Sequence, residues 1–351
     1  MARLPLRLVL MVLALGLVAG TAAAQAPPVP LRIVGGLANV SQFLRFEQPF
    51  WEQRIGPLTQ GRFAAEIVAF DRSGLRAQEM LPLMRLGVVP FGNVLLGVAA
   101  ADEPEFNLLD LPVLNPDFAT LRENAERVRP HLAALLRERY GIELLAIYTY
   151  PAQVLFCRRP FTGLGDLAGR RIRTSGVAQS EMVEALRAIP VVTAFSEVVA
   201  AVRAGTAECA ITGTLSGNAI GLHEVTSHVH AMAISWGLSV FGASRAAWAA
   251  LTPEDRAMLR AAIATLERDI WQGAERETGE GLACNAGQPG CTTGRPGRMQ
   301  IVADSPADAR LRTRLLRETV VPRWIERCGA PCAESWNSLM APAAGFTAHA
   351  P

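Results

Sequence analysis

The chain has 351 residues, a formal charge of +2 at neutral pH and six cysteines, and all 34 of its basic residues are arginines. Without lysine there is no Walker-A lysine, no lysine Schiff base and no kinase-type catalytic lysine. A balance this close to neutral also lacks the basic stripe that a nucleic acid or an anionic membrane surface demands of a partner.

Arg3 and Arg7 open the chain, Leu8 to Ala19 is almost continuously apolar, and Ala22-Ala23-Ala24 precedes Gln25. This pattern predicts a signal peptide over residues 1–24, cleaved after Ala24. The apolar run is short for a bilayer span, and no later run reaches about eighteen uncharged apolar residues. The mature protein is therefore expected to be exported, to a bacterial periplasm, and soluble there. The two leader arginines account for the whole positive excess, so the mature chain is formally neutral. It is long enough for two α/β domains.

After a proline-rich lead-in, Leu31-Arg32-Ile33-Val34 reads as a strand ended by Gly35-Gly36. Ser41 begins a helix whose Phe43, Phe46 and Phe50 share one face, with Pro49 expected to kink or interrupt it. A second strand covers residues 65–70, then a helix (79–86) and an apolar stretch (88–98). This β-α-β-α-β order predicts a mostly parallel sheet with helices on its faces. An amphipathic helix over about 118–139 leads to a strand at 144–147, and Tyr148-Thr149-Tyr150-Pro151 reads as a crossing into a second unit. That unit holds strands at 153–157, 170–173, 191–194 and 207–212 and helices at 179–187 and 196–205. Residues 234–241 read as a return strand.

The clearest helix follows. Thr252 caps it, Pro253 takes the first helical position, and Glu254 and Asp255 sit at the positive end of the dipole. Met258, Leu259, Ala262, Ile263, Leu266 and Ile270 keep a 3.6-residue period. Gly273 is expected to weaken its far half, and Gly279 is the first strong breaker.

Six cysteines suit an oxidising compartment. Cys284 with Cys291 and Cys328 with Cys332 are the simplest local disulfides, and a four-thiolate zinc site is the alternative, at spacings poor for zinc. Cys157 and Cys209 fall in strands and either pair or remain buried thiols.

Arg173 is the first candidate binding residue. It ends a strand that follows the tight turn Asp166-Leu167-Ala168-Gly169, and ligands of open α/β sheets sit outside strand carboxyl ends. Its planar fork matches a carboxylate and stays charged at ordinary pH. The neighbouring strand ends in Thr212-Gly213-Thr214, whose hydroxyls suit an anion. His223, His228 and His230, with Glu224 beside them, supply a competing reading: a metal-dependent periplasmic enzyme. Neither Gly-x-Ser-x-Gly nor Gly-x-Gly-x-x-Gly occurs, which argues against a serine hydrolase and a dinucleotide cofactor. Trp236 reads equally as core or as cleft lining.

Four segments then occur in order: Asp166-Leu167-x-Gly169-x-x-Ile172-Arg173, Phe195-Ser196-Glu197-Val198, Gly205-Thr206-Ala207-Glu208, and Trp248-x-x-Leu251-x-Pro253-x-Asp255. Together they resemble the DctP-type extracytoplasmic solute receptors of tripartite ATP-independent periplasmic (TRAP) transporters, over about residues 31–280. The resemblance implies a two-lobed periplasmic solute-binding fold, with two mixed α/β domains joined by crossing strands and bridged by a long helix. Domain I would take 31–147 plus about 237–270, domain II 148–236 plus about 271–345, and the helix at 253–278 would span both. It also implies closure around a small organic acid and delivery to a small and a large integral-membrane subunit. No cofactor and no catalysis are expected, and a monomer is. By position, Arg173 matches the arginine that pairs with the ligand carboxylate, and Gln153 a second polar contact. Thr212 stands where many members have asparagine, Trp236 lies in a region that lines the cleft, and Asn93 is a candidate from the first domain. Without that asparagine or a second arginine, the ligand expected is a monocarboxylate with an apolar or aromatic body. The 283–299 segment is unlike most members. A receptor feeding a membrane sensor would use the same binding chemistry.

Overall fold

The structure, a computed structural model, describes residues 27–350; the expected leader and its cleavage site lie outside the described residues. The first strands are β1 (Val29–Gly35), β2 (Phe63–Ala69), β3 (Phe91–Leu95) and β4 (Ile142–Tyr148). Next come β5 (Gln153–Cys157), β6 (Arg171–Thr174), β7 (Ile189–Val192) and β8 (Cys209–Gly213). Three more follow, β9 (His228–His230), β10 (Ser239–Ser244) and β11 (Gln300–Val302).

They form two sheets, ordered β2-β1-β3-β10-β4 and β11-β9-β5-β8-β6-β7. In the first sheet β10 runs antiparallel to both neighbours, and in the second β5 does. These two strands are the ones entered directly from the opposite sheet. The chain leaves β4 for β5 and leaves β9 for β10, so each arrives with its direction set by the other sheet. The remaining pairings are parallel and are reached through helical crossovers.

Each sheet owes its stability to apolar faces covered by helices. Leu31, Ile33, Phe91, Ala146 and Phe241 of the first sheet pack with Phe50, Trp51 and the apolar stripe of the long helix. That helix spans Pro253–Ala286, beyond the expected end near Gly279, and is about 50 Å long at 1.5 Å per residue. Thr252 accepts from Asp255 N–H as its N-cap, and Gly287 closes it in the left-handed conformation. Its glycines serve packing. A Cβ at Gly273 would lie 2.3 Å from the Phe46 ring, and one at Gly281 would lie 2.3 Å from the Leu215 backbone nitrogen. The first half of the helix thus seats on the first sheet, while the second half seats on the short helix Thr214–Ala219 that follows β8.

Pro49 does not end the helical segment it was expected to interrupt. Gln42–Glu47 and Phe50–Arg54 are wound in wider turns, with Gln48 N–H donating to Phe43 O and Ile55 N–H to Phe50 O. The C-terminal helices, Pro306–Leu315, Val321–Cys328 and Ala330–Ser335, touch both halves of the molecule. Trp324 Nε1 donates to Pro104 O and Arg312 Nε to Val113 O, whereas the Asp308 carboxylate accepts from Leu164 N–H. Disulfides join Cys157 to Cys209 directly across β5 and β8, Cys284 to Cys291, and Cys328 to Cys332.

Candidate functional site

Two chain segments cross between the sheets, residues 149–152 and 231–238, and they run side by side. Gln153 N–H donates to Ser235 O at 2.8 Å and Ile234 N–H to Gln153 O at 2.8 Å. Asp110 pins the second crossing: its carboxylate accepts from Trp236 N–H and Gly237 N–H, each at 2.8 Å, and from Leu238 N–H at 3.4 Å. Burial pushes the Asp110 carboxyl up to about 7, against the pull of those amides. No sequence motif marks this aspartate, because its partners are backbone groups more than a hundred residues away.

Beside the crossings lies a cavity of about 470 Å³. The first sheet's side contributes mainly apolar groups, among them Leu37, Val40, Phe70, Leu75, Leu95 and Val98. The second sheet's side contributes Gln153, Arg173, Thr212 and Ser175, with Phe195 next to them. The only carboxylate lining it among the described residues is Asp71, exposed at the mouth and accepting from Ala38 N–H at 3.0 Å.

Arg173, on β6, is 3% exposed. Its Nε and Nη2 donate to Thr193 O at 2.9 and 2.8 Å, and its Nη1 donates to Ile211 O at 2.8 Å. These bonds to neighbouring strand backbones fix the guanidinium plane. Three of its N–H groups are thereby used, leaving two of the five that a guanidinium carries. Among the described residues no acid pairs with it, and burial alone lowers its pKa to about 10. It remains charged at neutral pH, a desolvated cation without an anion from its own chain.

Gln153 Oε1 accepts from Gln179 Nε2 at 2.7 Å and from Ser235 Oγ at 2.8 Å. Thr212, on β8 between them, is buried and lines the cavity. The structure therefore brings Arg173, Gln153 and Thr212 together. Trp236 and Asn93 lie elsewhere, which corrects the expectation that they line the cleft. Trp236 is 2% exposed, its indole N–H donates to Asn115 O at 3.1 Å, and its ring meets Phe118 edge-on. Of the two readings the sequence allowed, core packing wins. Asn93 sits on β3 opposite Phe241 and donates to the buried Glu47 carboxylate at 3.1 Å, inside the first lobe.

The three histidines do not converge. His223 Nδ1 faces Asn218, His228 Nδ1 faces Ser227 Oγ, and His230 Nδ1 accepts from Met232 N–H while its Nε2 lies 3.4 Å from Asp308. Among the described residues no group of three or more His, Cys, Asp or Glu side chains is placed to hold a metal ion.

Two lobes joined by crossing strands, with a ligand-sized cavity beside the crossings, define the class of two-lobed solute-binding receptors. The family model for bacterial extracellular solute-binding proteins, family 7 (DctP), matches residues 46–283, and the chain belongs to that family. Its members are receptors, not enzymes. The fold is shared with DctP7, an extracytoplasmic solute receptor of Bordetella pertussis binding pyroglutamic acid. The two are 20% identical, with 89% of this chain and 99% of that one covered and a TM-score of 0.75. It is shared too with a TRAP periplasmic solute-binding protein of Desulfovibrio salexigens with bound orotic acid, at 14% identity, 88% and 97% coverage and a TM-score of 0.77. A third such protein, from Rhodoferax ferrireducens with bound malonate, is 19% identical, with 88% and 96% coverage and a TM-score of 0.74. No curated protein matches the sequence. No helix among the described residues is long and apolar enough to cross a membrane.

Proposed function

We propose that this chain is the periplasmic receptor of a TRAP transporter, and that it binds an organic acid through a two-pronged pair between Arg173 and the ligand carboxylate. The observation that carries the proposal is the buried, fixed Arg173 with two free N–H groups and no paired acid among the described residues. A desolvated guanidinium is costly until an anion reaches it, and a carboxylate satisfies both N–H groups at once. Gln153 and Thr212 supply further polar contacts, and the apolar wall of the first lobe takes the body of the ligand. Pyroglutamic acid, orotic acid and malonate, bound by proteins of the same fold, all carry a carboxylate.

In this reading the lobes hinge at the two crossings and close over the acid, and the closed monomer hands it to the small and large membrane subunits. The leader is removed after Ala24 on export. A thermal-shift panel pairing carboxylic acids with their primary amides tests the anion requirement. A bound acid at a hundred times its dissociation constant adds about 2.7 kcal/mol of stability. At least one acid should raise the melting temperature while its amide does not; equal shifts from acid and amide would defeat the proposal.

A further inference from the structure

Behind the cavity wall, a chain of side chains decides which end of the Gln153 amide the ligand meets. Its starting point is unambiguous. Ser175 N–H is a backbone donor, so the Gln179 atom it meets at 3.0 Å must be the carbonyl Oε1, which also accepts from Ser175 Oγ at 3.0 Å. Gln179 Nε2 then points the other way and donates to Gln153 Oε1 at 2.7 Å and to Ser235 Oγ at 2.8 Å. Ser235 Oγ in turn donates to Gln153 Oε1 at 2.8 Å. Both lone pairs of Gln153 Oε1 are thus occupied.

Its Nε2 is left with two N–H groups on the side of Gly237, itself a cavity residue. A Cβ at Gly237 would lie 2.6 Å from that nitrogen, so only glycine leaves the amide its space. Gln179 itself is buried and lies outside the cavity lining. Arg173 and the Gln153 amide nitrogen thus present N–H donors to the cavity, its other polar side chains being mostly hydroxyls, while the one lining carboxylate among the described residues, Asp71, is exposed to solvent.

We propose that Gln179 is a specificity-determining positioning residue. By holding the Gln153 amide with its N–H groups toward the cavity, it makes the site accept a carboxylic acid bearing a second acceptor oxygen and reject the matching amino acid. This rests on the carboxylate reading of Arg173. A carbonyl oxygen beside the carboxylate satisfies the Gln153 N–H groups. An ammonium at the same place faces donors, and a polar group buried without a partner is strongly penalised.

The test uses three acids of one carbon skeleton: 4-methyl-2-oxopentanoate, 4-methylpentanoate and leucine, titrated calorimetrically into the full mature protein. The wild type should bind the oxo acid at least tenfold more tightly than the unsubstituted acid, and leucine most weakly. In Gln179→Glu the carboxylate still accepts from Ser175 N–H but cannot donate to Gln153. The Gln153 amide then turns its oxygen to the cavity, and the oxo-to-amino preference should fall at least tenfold. Gln179→Met, which removes the relay without adding a charge, should bring the ratio of oxo to unsubstituted acid near one. A general loss of packing would weaken all three acids together and leave their ratios unchanged, which would overturn the proposal. Arg173-dependent binding of all three at similar affinity would also overturn it, yet leave the carboxylate pair standing. Binding of none of the three would overturn the specificity proposal alone, because the carboxylate pair stands or falls with the acid and amide panel.

Discussion

If the lobes close over the acid as proposed, closure can be perturbed without touching the ligand, at the seam between Gly97 and Gly176. Gly97 lies in the short helix Leu96–Ala99 after β3, and Gly176 caps the helix Val177–Ala185 in the opposite lobe. Gly176 has φ −169°, an extended conformation open to any residue, so alanine there brings no backbone strain. Its Cβ, however, would stand 2.6 Å from Gly97 O, a backbone atom that cannot swing aside. A close carbon–oxygen contact needs about 3.3 Å, so the seam must open by roughly 0.7 Å. Overpacking of this kind costs about 1–3 kcal/mol. Charged to the closed form alone, that cost weakens ligand binding by about 5- to 150-fold. Calorimetry on Gly176→Ala with the strongest acid of the thermal-shift panel measures the loss, and small-angle scattering of the liganded variant should report a more open molecule. Gly165→Ala, in the same lobe with nothing within 4 Å of the new methyl, is the control and should bind normally. An affinity for Gly176→Ala within twofold of wild type would refute the idea that this seam belongs to the closed, ligand-holding form.

Two further outcomes concern stability. Replacing Cys157 and Cys209 by alanine opens a link with 52 residues of sequence separation, for which chain entropy predicts a loss of about 4 kcal/mol, against about 2 kcal/mol for the seven-residue Cys284–Cys291 link. Denaturant unfolding should rank the two double variants in that order, and the reverse order would count against a loop-entropy origin. Asp110 titrates at about 7 in the folded chain, above its usual 3.8, so the folded state holds the proton more tightly than the unfolded one. Stability should be greatest below about pH 4 as far as this group is concerned, and should decline as pH rises to about 7. Thermal melts across that window should show a shallower decline for Asp110→Asn, and identical slopes would rule out Asp110 as the source.

Local signals carried much of the architecture. The helix start at Thr252-Pro253 and the strand Gln153–Cys157 depend on neighbours along the chain, and sequence order exposes those. Strands β9 and β11, of three residues each, are too short to show a period and went unseen. Gly273 reads as a weak point in a helix until the Phe46 ring is seen lying against its Cα. The wall that carries Arg173 was legible because the turn, strand and arginine lie within eight residues. The relay behind Gln153 was not, since it joins residues 153, 175, 179 and 235 from four separate segments. Trp236 and Asn93 were misjudged for a related reason. Their surroundings are set by Asn115, Phe118 and Glu47, which only the tertiary fold brings near.

The central claim is that the buried Arg173 guanidinium holds the ligand carboxylate. Its most direct test is calorimetric titration of wild type and Arg173→Ala with the acid that stabilises the wild type most. Removing one partner of a buried, hydrogen-bonded charge pair costs at least about 2 kcal/mol, so the dissociation constant should rise by about 30-fold or more. An Arg173→Ala protein that melts cooperatively and binds the same acid at near wild-type affinity would contradict the account.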